Sequence, residues 1–254
     1  MRKTIMLPAP QLSHYKEVNV DLDMTGAHYI LLSESKGRVP EEVALSIVRD
    51  LMEEDANKLT INDLRYVFTL IKINSLENDY SATVRCTIVK PGGAVCGHEN
   101  KCDVRLSDSD LNCTPDGYRV PEISMYVDGK ERKFKVKPPT CDVEIGLYDY
   151  FTTKKGKTAE ELNGDSSSAM EFALIRAVCH LVGEDGERLV DDLSKFDGAL
   201  DVIRANKFSK VTELLKLANE VGAFGVQNKE YTIVCKECGG TLRFRLPFLH
   251  GIVG

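Results

Sequence analysis

The stretch Tyr231-Thr-Ile-Val-Cys235-Lys-Glu-Cys238-Gly239-Gly240-Thr-Leu242-Arg-Phe244-Arg-Leu246 decides how the chain is read. An alternating apolar run enters a Cys-x-x-Cys-Gly-Gly turn and a second alternating run leaves it, the pattern of a β-hairpin with two thiols at its tip. Two thiolates at that spacing make half of a zinc-ribbon site, and a structural zinc takes four ligands in a closed tetrahedron. Half a site predicts another half. The candidate lies upstream, in Tyr80-Ser-Ala-Thr-Val84-Arg-Cys86, then Cys96-Gly97, then Val104-Arg105-Leu106.

Set side by side, the two regions share an order of parts. A helix (Thr60–Ile73), a polar turn, Tyr80, a strand, Cys86, Cys96-Gly97 and Val104-Arg105-Leu106 make the first. A helix (Ser209–Val221), a turn, Tyr231, a strand, Cys235, Cys238-Gly239 and Phe244-Arg245-Leu246 make the second. Leu64 precedes Tyr80 by sixteen residues and Leu214 precedes Tyr231 by seventeen; the loop between cysteines is nine residues in one copy and two in the other. This shared order reads as an internal repeat. Each copy supplies two thiolates and neither can complete a tetrahedral shell. The expected ligands are therefore Cys86, Cys96, Cys235 and Cys238 around one structural zinc. His98 and Cys102 are competing donors that could replace Cys86 or form a separate site, and metal-free hairpins with buried thiols are the plainer alternative. Cys113, Cys141 and Cys179 read as structural, Cys179 because it lies on an apolar helix face.

Composition narrows the function. The chain has 254 residues, 43 % apolar and 28 % charged, with a formal net charge of −6. That is ordinary for a globular protein with one large or two modest domains. An acidic balance argues against a dedicated nucleic-acid binder, which needs a basic face for phosphate. The basic clusters Lys130–Lys137 and Lys154–Lys157 read as solvated faces. No run approaches the roughly 18 apolar residues of a membrane span. Pro8 and Pro10 break the N-terminal apolar stretch too early for a signal peptide, so a cytoplasmic origin is expected. Eight cysteines in a reducing compartment suggest ligands and buried thiols rather than four disulfides.

Along the chain, residues 1–35 read as extended, with Val18-Asn-Val20-Asp-Leu22 alternating and His28–Leu32 a short apolar run. Pro40-Glu-Glu opens a helix with an apolar stripe at Val43, Ile47, Val48 and Leu51. Thr60 and Asp63 form a capping box before Leu64, Val67, Phe68 and Ile71. A strand at Ile123–Val127 turns at Asp128-Gly129 and returns through Phe134 and Val136, stopped by Pro138-Pro139. Lys154–Ser167 reads as a linker. Ser168 and Glu171 are expected to cap a helix ending at Gly183, followed by a short helix near Leu189–Leu193, one at Phe196–Ile203, and one capped by Ser209 that ends before Gly222. This gives 1–113 as a strand and helix region with the first cysteine hairpin, 114–167 as a β insertion and linker, and 168–254 as a helical region with the second hairpin.

No metalloprotease, nucleophile-elbow, phosphate-loop or dinucleotide motif is present, and His14, His28, His98, His180 and His250 are scattered. His180 reads as a core or edge histidine. A closed four-thiolate site leaves no open position for substrate, so a non-enzymatic protein is expected.

The order of parts resembles the T4-type baseplate hub and hub assembly proteins of tailed bacteriophages. The resemblance rests on Leu7-Pro-x-Pro before a β run, on Ile61-Asn-Asp63-Leu opening a helix, and on Tyr80, Val-Arg-Cys86, Cys96-Gly97 and Val-Arg-Leu106. It continues through Pro138-Pro-Thr140, Gly225-Val, Tyr231, Val-Cys235-x-x-Cys238-Gly and Leu246-Pro-Phe248. It spans nearly the full length, and the C-terminal knuckle is its most specific piece. The nine-residue first loop and the C-terminal Leu249-His-Gly-Ile-Val-Gly254 depart from the pattern. The resemblance implies a structural or assembly role in a phage tail baseplate hub, with other hub and tail proteins as partners. It places the protein in the host cytoplasm during assembly and in the virion tail if retained. Exposed apolar residues at Leu246–Leu249 would suit docking, or pack as a terminal strand.

The expected architecture is α+β: two helix-plus-hairpin, zinc-ribbon-like units joined by a structural zinc site, with a β-hairpin insertion and a helical segment between them. The alternative is a zinc-ribbon nucleic-acid-binding or transcription-associated module relying on Lys236, Arg243 and Arg245.

Overall fold

A computed structural model describes residues 2–34, 40–76, 79–105, 111–164, 166–191, 194–226 and 230–245. Leu106 and Leu246–Leu249, which the sequence singled out, lie outside them. The fold is α+β, with helices packed against small antiparallel sheets.

The N-terminal core follows from period-two and period-3.6 patterns meeting. Strand β1 (Arg2–Met6) pairs with β2 (Glu17–Asp21), placing Ile5, Val18 and Val20 inside. Helix α2 (Pro40–Leu51) lays Val43, Ile47, Val48 and Leu51 against them. Helix α3 (Ile61–Leu76) adds Leu64, Val67, Phe68 and Ile71. Its cap is the one the sequence shows: the Thr60 N–H donates to Asp63 Oδ2 at 3.2 Å and the Asp63 N–H to Thr60 Oγ1 at 3.1 Å. The run His28–Leu32 is helical rather than extended, in α1 (Gly26–Ser33). A five-residue apolar run carries no period to separate the two, and the Thr25 N–H donating to His28 Nδ1 at 3.0 Å starts the turn.

The next strands are β3 (Asp79–Arg85), β4 (Glu99–Arg105) and β5 (Leu111–Asn112). A second core forms around β6 (Glu122–Val127) and β7 (Lys130–Val136), joined at Asp128 (φ 51°) and Gly129 (φ 74°) as an Asp-Gly turn requires. Strand β8 (Leu181–Val182) extends this sheet. Helix α4 (Cys141–Asp149), absent from the sequence reading, buries Val143 and Leu147. Within the presumed linker, Thr158 and Glu161 form a capping box that opens α5 (Ala159–Asn163), and Leu162 is buried. Helix α6 (Ser167–Val178) is capped by Ser166, whose Oγ accepts from the Ala169 N–H at 3.1 Å. Three consecutive serines offered equal sequence signals, and Ser168 is inside the helix. Gly183 closes no helix; it starts a turn, its N–H donating to the Glu187 carbonyl at 2.8 Å. The Leu189 N–H returns to the Leu181 carbonyl at 2.9 Å, and the described residues 189–191 form no helix. Helices α7 (Phe196–Ala205) and α8 (Phe208–Val221) complete the core; Lys207, not Ser209, is the residue before α8.

Four lysines of the basic clusters meet acids. Lys154 meets Asp197 at 3.1 Å, Lys157 meets Glu161 at 3.5 Å, and Lys155 pairs with Glu171 and Lys133 with Glu122. No helix among the described residues is long and apolar enough to cross a membrane.

His180 lies in the turn just after α6, buried in this core. Its Nδ1 donates to the Arg176 carbonyl at 2.8 Å, and its Nε2 is buried without a hydrogen-bond partner among the described residues. Burial, with the Arg176 and Arg188 charges, lowers its pKa from the usual 6.5 to about 3. The folded state thus refuses a proton that the unfolded chain accepts. Stability from neutral His180 is present above pH ~6.5 and is lost as pH falls toward 3. We expect His180→Phe to lose less stability than the wild type between pH 6.5 and 4. Parallel urea midpoints across that range would refute this.

Candidate metal centre

Two hairpins carry the cysteines. Strands β3 and β4 pair from Asp79↔Arg105 to Arg85↔Glu99. The ribbon then continues past the strands: the Cys86 N–H donates to the His98 carbonyl and the Cys96 N–H to the Ile88 carbonyl, each at 2.8 Å. Val89 bridges Val95, and the Lys90 N–H reaches the Ala94 carbonyl at 2.8 Å before the turn at Gly92 and Gly93, both at positive φ. The nine-residue loop is thus a pinned β-finger, and it leaves Cys86 and Cys96 across from one another at its base. After β9 (Gly225–Val226), strands β10 (Glu230–Val234) and β11 (Thr241–Arg245) form the second hairpin, with Val234↔Thr241 nearest the tip.

The tips match bond for bond. In the first, the Gly97 N–H donates to the Cys86 carbonyl at 3.0 Å; in the second, the Gly239 N–H donates to the Cys235 carbonyl at 2.9 Å. Cys86 N–H to His98 is mirrored by Cys235 N–H to the Gly240 carbonyl, at 2.9 Å. Gly97 (φ 67°) and Gly239 (φ 70°) occupy the same left-handed turn position, open to glycine at no steric cost.

The tips face each other. Cys86 and Cys238 Sγ are 3.6 Å apart and Cys96 and Cys235 Sγ 3.9 Å apart; all four sulfurs lie within 4.8 Å of one another. A disulfide needs about 2.05 Å, and all four are free thiols. Four sulfurs at about 2.3 Å from one zinc in a tetrahedron stand about 3.8 Å apart, so the observed spacing fits that ion. His98 and Cys102 are not in the group. Cys102 sits along β4 opposite Ala82. Cys141 and Cys179 are buried in the two main cores, as expected of structural thiols, while Cys113 is exposed.

The surroundings suit thiolates bound to a cation. Backbone N–H groups of Ile88 and His98 point at the Cys86 and Cys96 sulfurs, and those of Cys238 and Glu237 at Cys235. Those amides bring Cys235 down to about 6. Burial pushes Cys86 up to about 12. The His98 amide pulls Cys96 down, but burial and the sulfurs of Cys238 and Cys235 leave it raised. One thiolate forms readily, and its neighbours resist adding negative charge beside it. A bound divalent cation removes that resistance, which is the chemistry of a structural metal site.

Residues 23–243 match the family described as T4 bacteriophage base plate protein. The chain belongs to that family. The match covers most of the chain and includes both cysteine pairs. Against curated proteins and against solved structures the chain gives no significant match. Family membership supports a structural role in a phage baseplate, in contact with other baseplate proteins.

In this base plate family member the four cysteines were legible from sequence; the groups that lock them together were not. Ile88 from the finger covers Gly240 so closely that a Cβ there would stand 2.2 Å from Ile88 Cδ1. The second glycine of Cys-Gly-Gly thus marks the contact between hairpins. Asn100, two residues into β4, crosses to the second tip, donating from Nδ2 to Cys235 Sγ at 3.5 Å and accepting the Lys236 N–H at 2.9 Å. A lone asparagine in an alternating strand carries no sequence signal for that role.

Proposed function

We propose that this protein is a non-catalytic structural or assembly component of a phage tail baseplate hub, its two hairpin tips stapled by one zinc ion held by Cys86, Cys96, Cys235 and Cys238. The family match over residues 23–243 carries the baseplate part of the reading. The hub follows from the resemblance in the order of motifs. The zinc reading rests on four sulfurs gathered from both ends of the chain at tetrahedral spacing. Four protein ligands leave no open position on the ion, so it would supply folding energy rather than chemistry. Its partners are then other hub and tail proteins, met in the host cytoplasm during assembly.

The test is an infection in which the chain is absent, with tail intermediates separated by sedimentation. Stalled hub subassemblies, and the chain found with hub proteins when restored, are the expected outcome. Complete baseplates formed without it would overturn the reading.

A further inference from the structure

We propose that Asn100 is a positioning residue for the metal: its carboxamide orients Cys235 as a ligand and fixes the second tip against the first. The inference rests on the zinc reading above. Asn100 is only 2 % exposed, and a buried amide must spend its hydrogen bonds inside. The Lys236 N–H can only donate, so the amide oxygen faces it, at 2.9 Å. That turns the NH₂ toward Cys235 Sγ at 3.5 Å and the carbonyls of His98 at 3.2 Å and Val84 at 3.4 Å. One side chain on the first hairpin thereby grips both a sulfur and the backbone of the second.

The repeat isolates this function. Asn100 lies four residues after Cys96; four residues after Cys238 is Leu242, also buried, at 5 % exposed. The matching slot on the other hairpin is thus filled by a leucine, which branches at the same atom but carries no polar group, so a buried position there does not by itself demand an amide. A donor to a thiolate stabilises its negative charge and holds its lone pair in one direction, as outer-shell partners do at metal sites.

Two variants separate the bonds. Asn100→Leu removes both; Asn100→Asp keeps an acceptor for the Lys236 N–H and removes the donors. The probes are Zn²⁺ in competition with a colorimetric chelator, and Co²⁺ read by its sulfur-to-metal charge-transfer bands. Both variants are expected to bind one ion with four-sulfur cobalt spectra, about 10- to 100-fold more weakly than the wild type. The charge-transfer bands are expected to shift to lower energy, because a sulfur that loses a donor gives up charge more easily. A packing defect would not produce that shift. Wild-type affinity and unshifted bands in both variants would overturn the proposal and leave the zinc reading standing. Weakening confined to Asn100→Leu would overturn the sulfur contact as the cause. A wild type that takes up neither ion would overturn the zinc reading itself, and this inference with it.

Discussion

Cys86→Ser and Cys235→Ser are each expected to abolish metal binding and to unfold both hairpins in one transition, although the two residues stand 149 positions apart. A two-stranded hairpin alone is marginal in water. The core beneath these two is small, with Cys86, Cys235 and Leu242 its buried residues. The Lys90–Glu237 ion pair across the tips, at 3.3 Å, is exposed and adds little. A structural zinc contributes roughly 10–16 kcal/mol of apparent binding free energy in small peptides, so here it would dominate. Removing any ligand therefore withdraws stability from both hairpins together. Zinc content should fall from one per chain to none, and amide exchange should accelerate across 79–105 and 230–245 alike. The two main cores do not include these hairpins, so most helical circular dichroism should survive. The double variant should be no worse than either single one, since both break one object. Separate melting of the two hairpins, one per substitution, would show that they are not joined by a shared ion.

What the sequence revealed and concealed follows from the range of each signal. The Asp128-Gly129 turn, the Thr60–Asp63 cap and the stripes of α2 and α3 are set by neighbours within one turn, and each stands where the pattern put it. The grouping of the four cysteines was legible because a tetrahedral metal site would ask for four donors, and a shared order of motifs supplied the second pair. The short runs misled. His28–Leu32 and Leu189–Leu193 are too brief to show a period; the first is helical, and in the second the described residues 189–191 are not, Leu189 bonding back to Leu181 instead. Helix α4 follows Pro138-Pro139, a signal that ends a hairpin and masks Thr140 as a helix start. Ile88 over Gly240 and Asn100 across to Cys235 are contacts between segments far apart in the chain, and no local pattern encodes them.

Gly225→Ala should be the most damaging change among the described glycines, by about 2–4 kcal/mol in urea unfolding. Gly225 has φ +116°, outside the range that L side chains adopt comfortably; holding such a conformation costs about 1–3 kcal/mol. It also runs hard against the start of α3: a Cβ would stand 2.8 Å from Asn62 Cβ and 3.5 Å from Asn62 Cα. Neither atom is the loose end of a side chain, so relief requires moving the helix, and overpacking of this kind costs about 1–3 kcal/mol more. The joint matters because Asn62 Nδ2 donates to the Gly222 carbonyl at 2.9 Å, closing the end of α8 from the start of α3, while Gly225 pairs with Asn112 in the short β5–β9 ladder. The helices that precede the two cysteine hairpins are held together here. Gly198 supplies the control. It lies within α7 with nothing within 4 Å of its would-be Cβ, so Gly198→Ala should stabilise by about 0.5–1 kcal/mol through helix propensity. If the two alanines behave alike, α3 and β9 do not approach as closely as the fold places them. If they diverge as expected, the joint between the start of α3 and the end of α8, the helices that precede the two hairpins, is as tight as the fold places it.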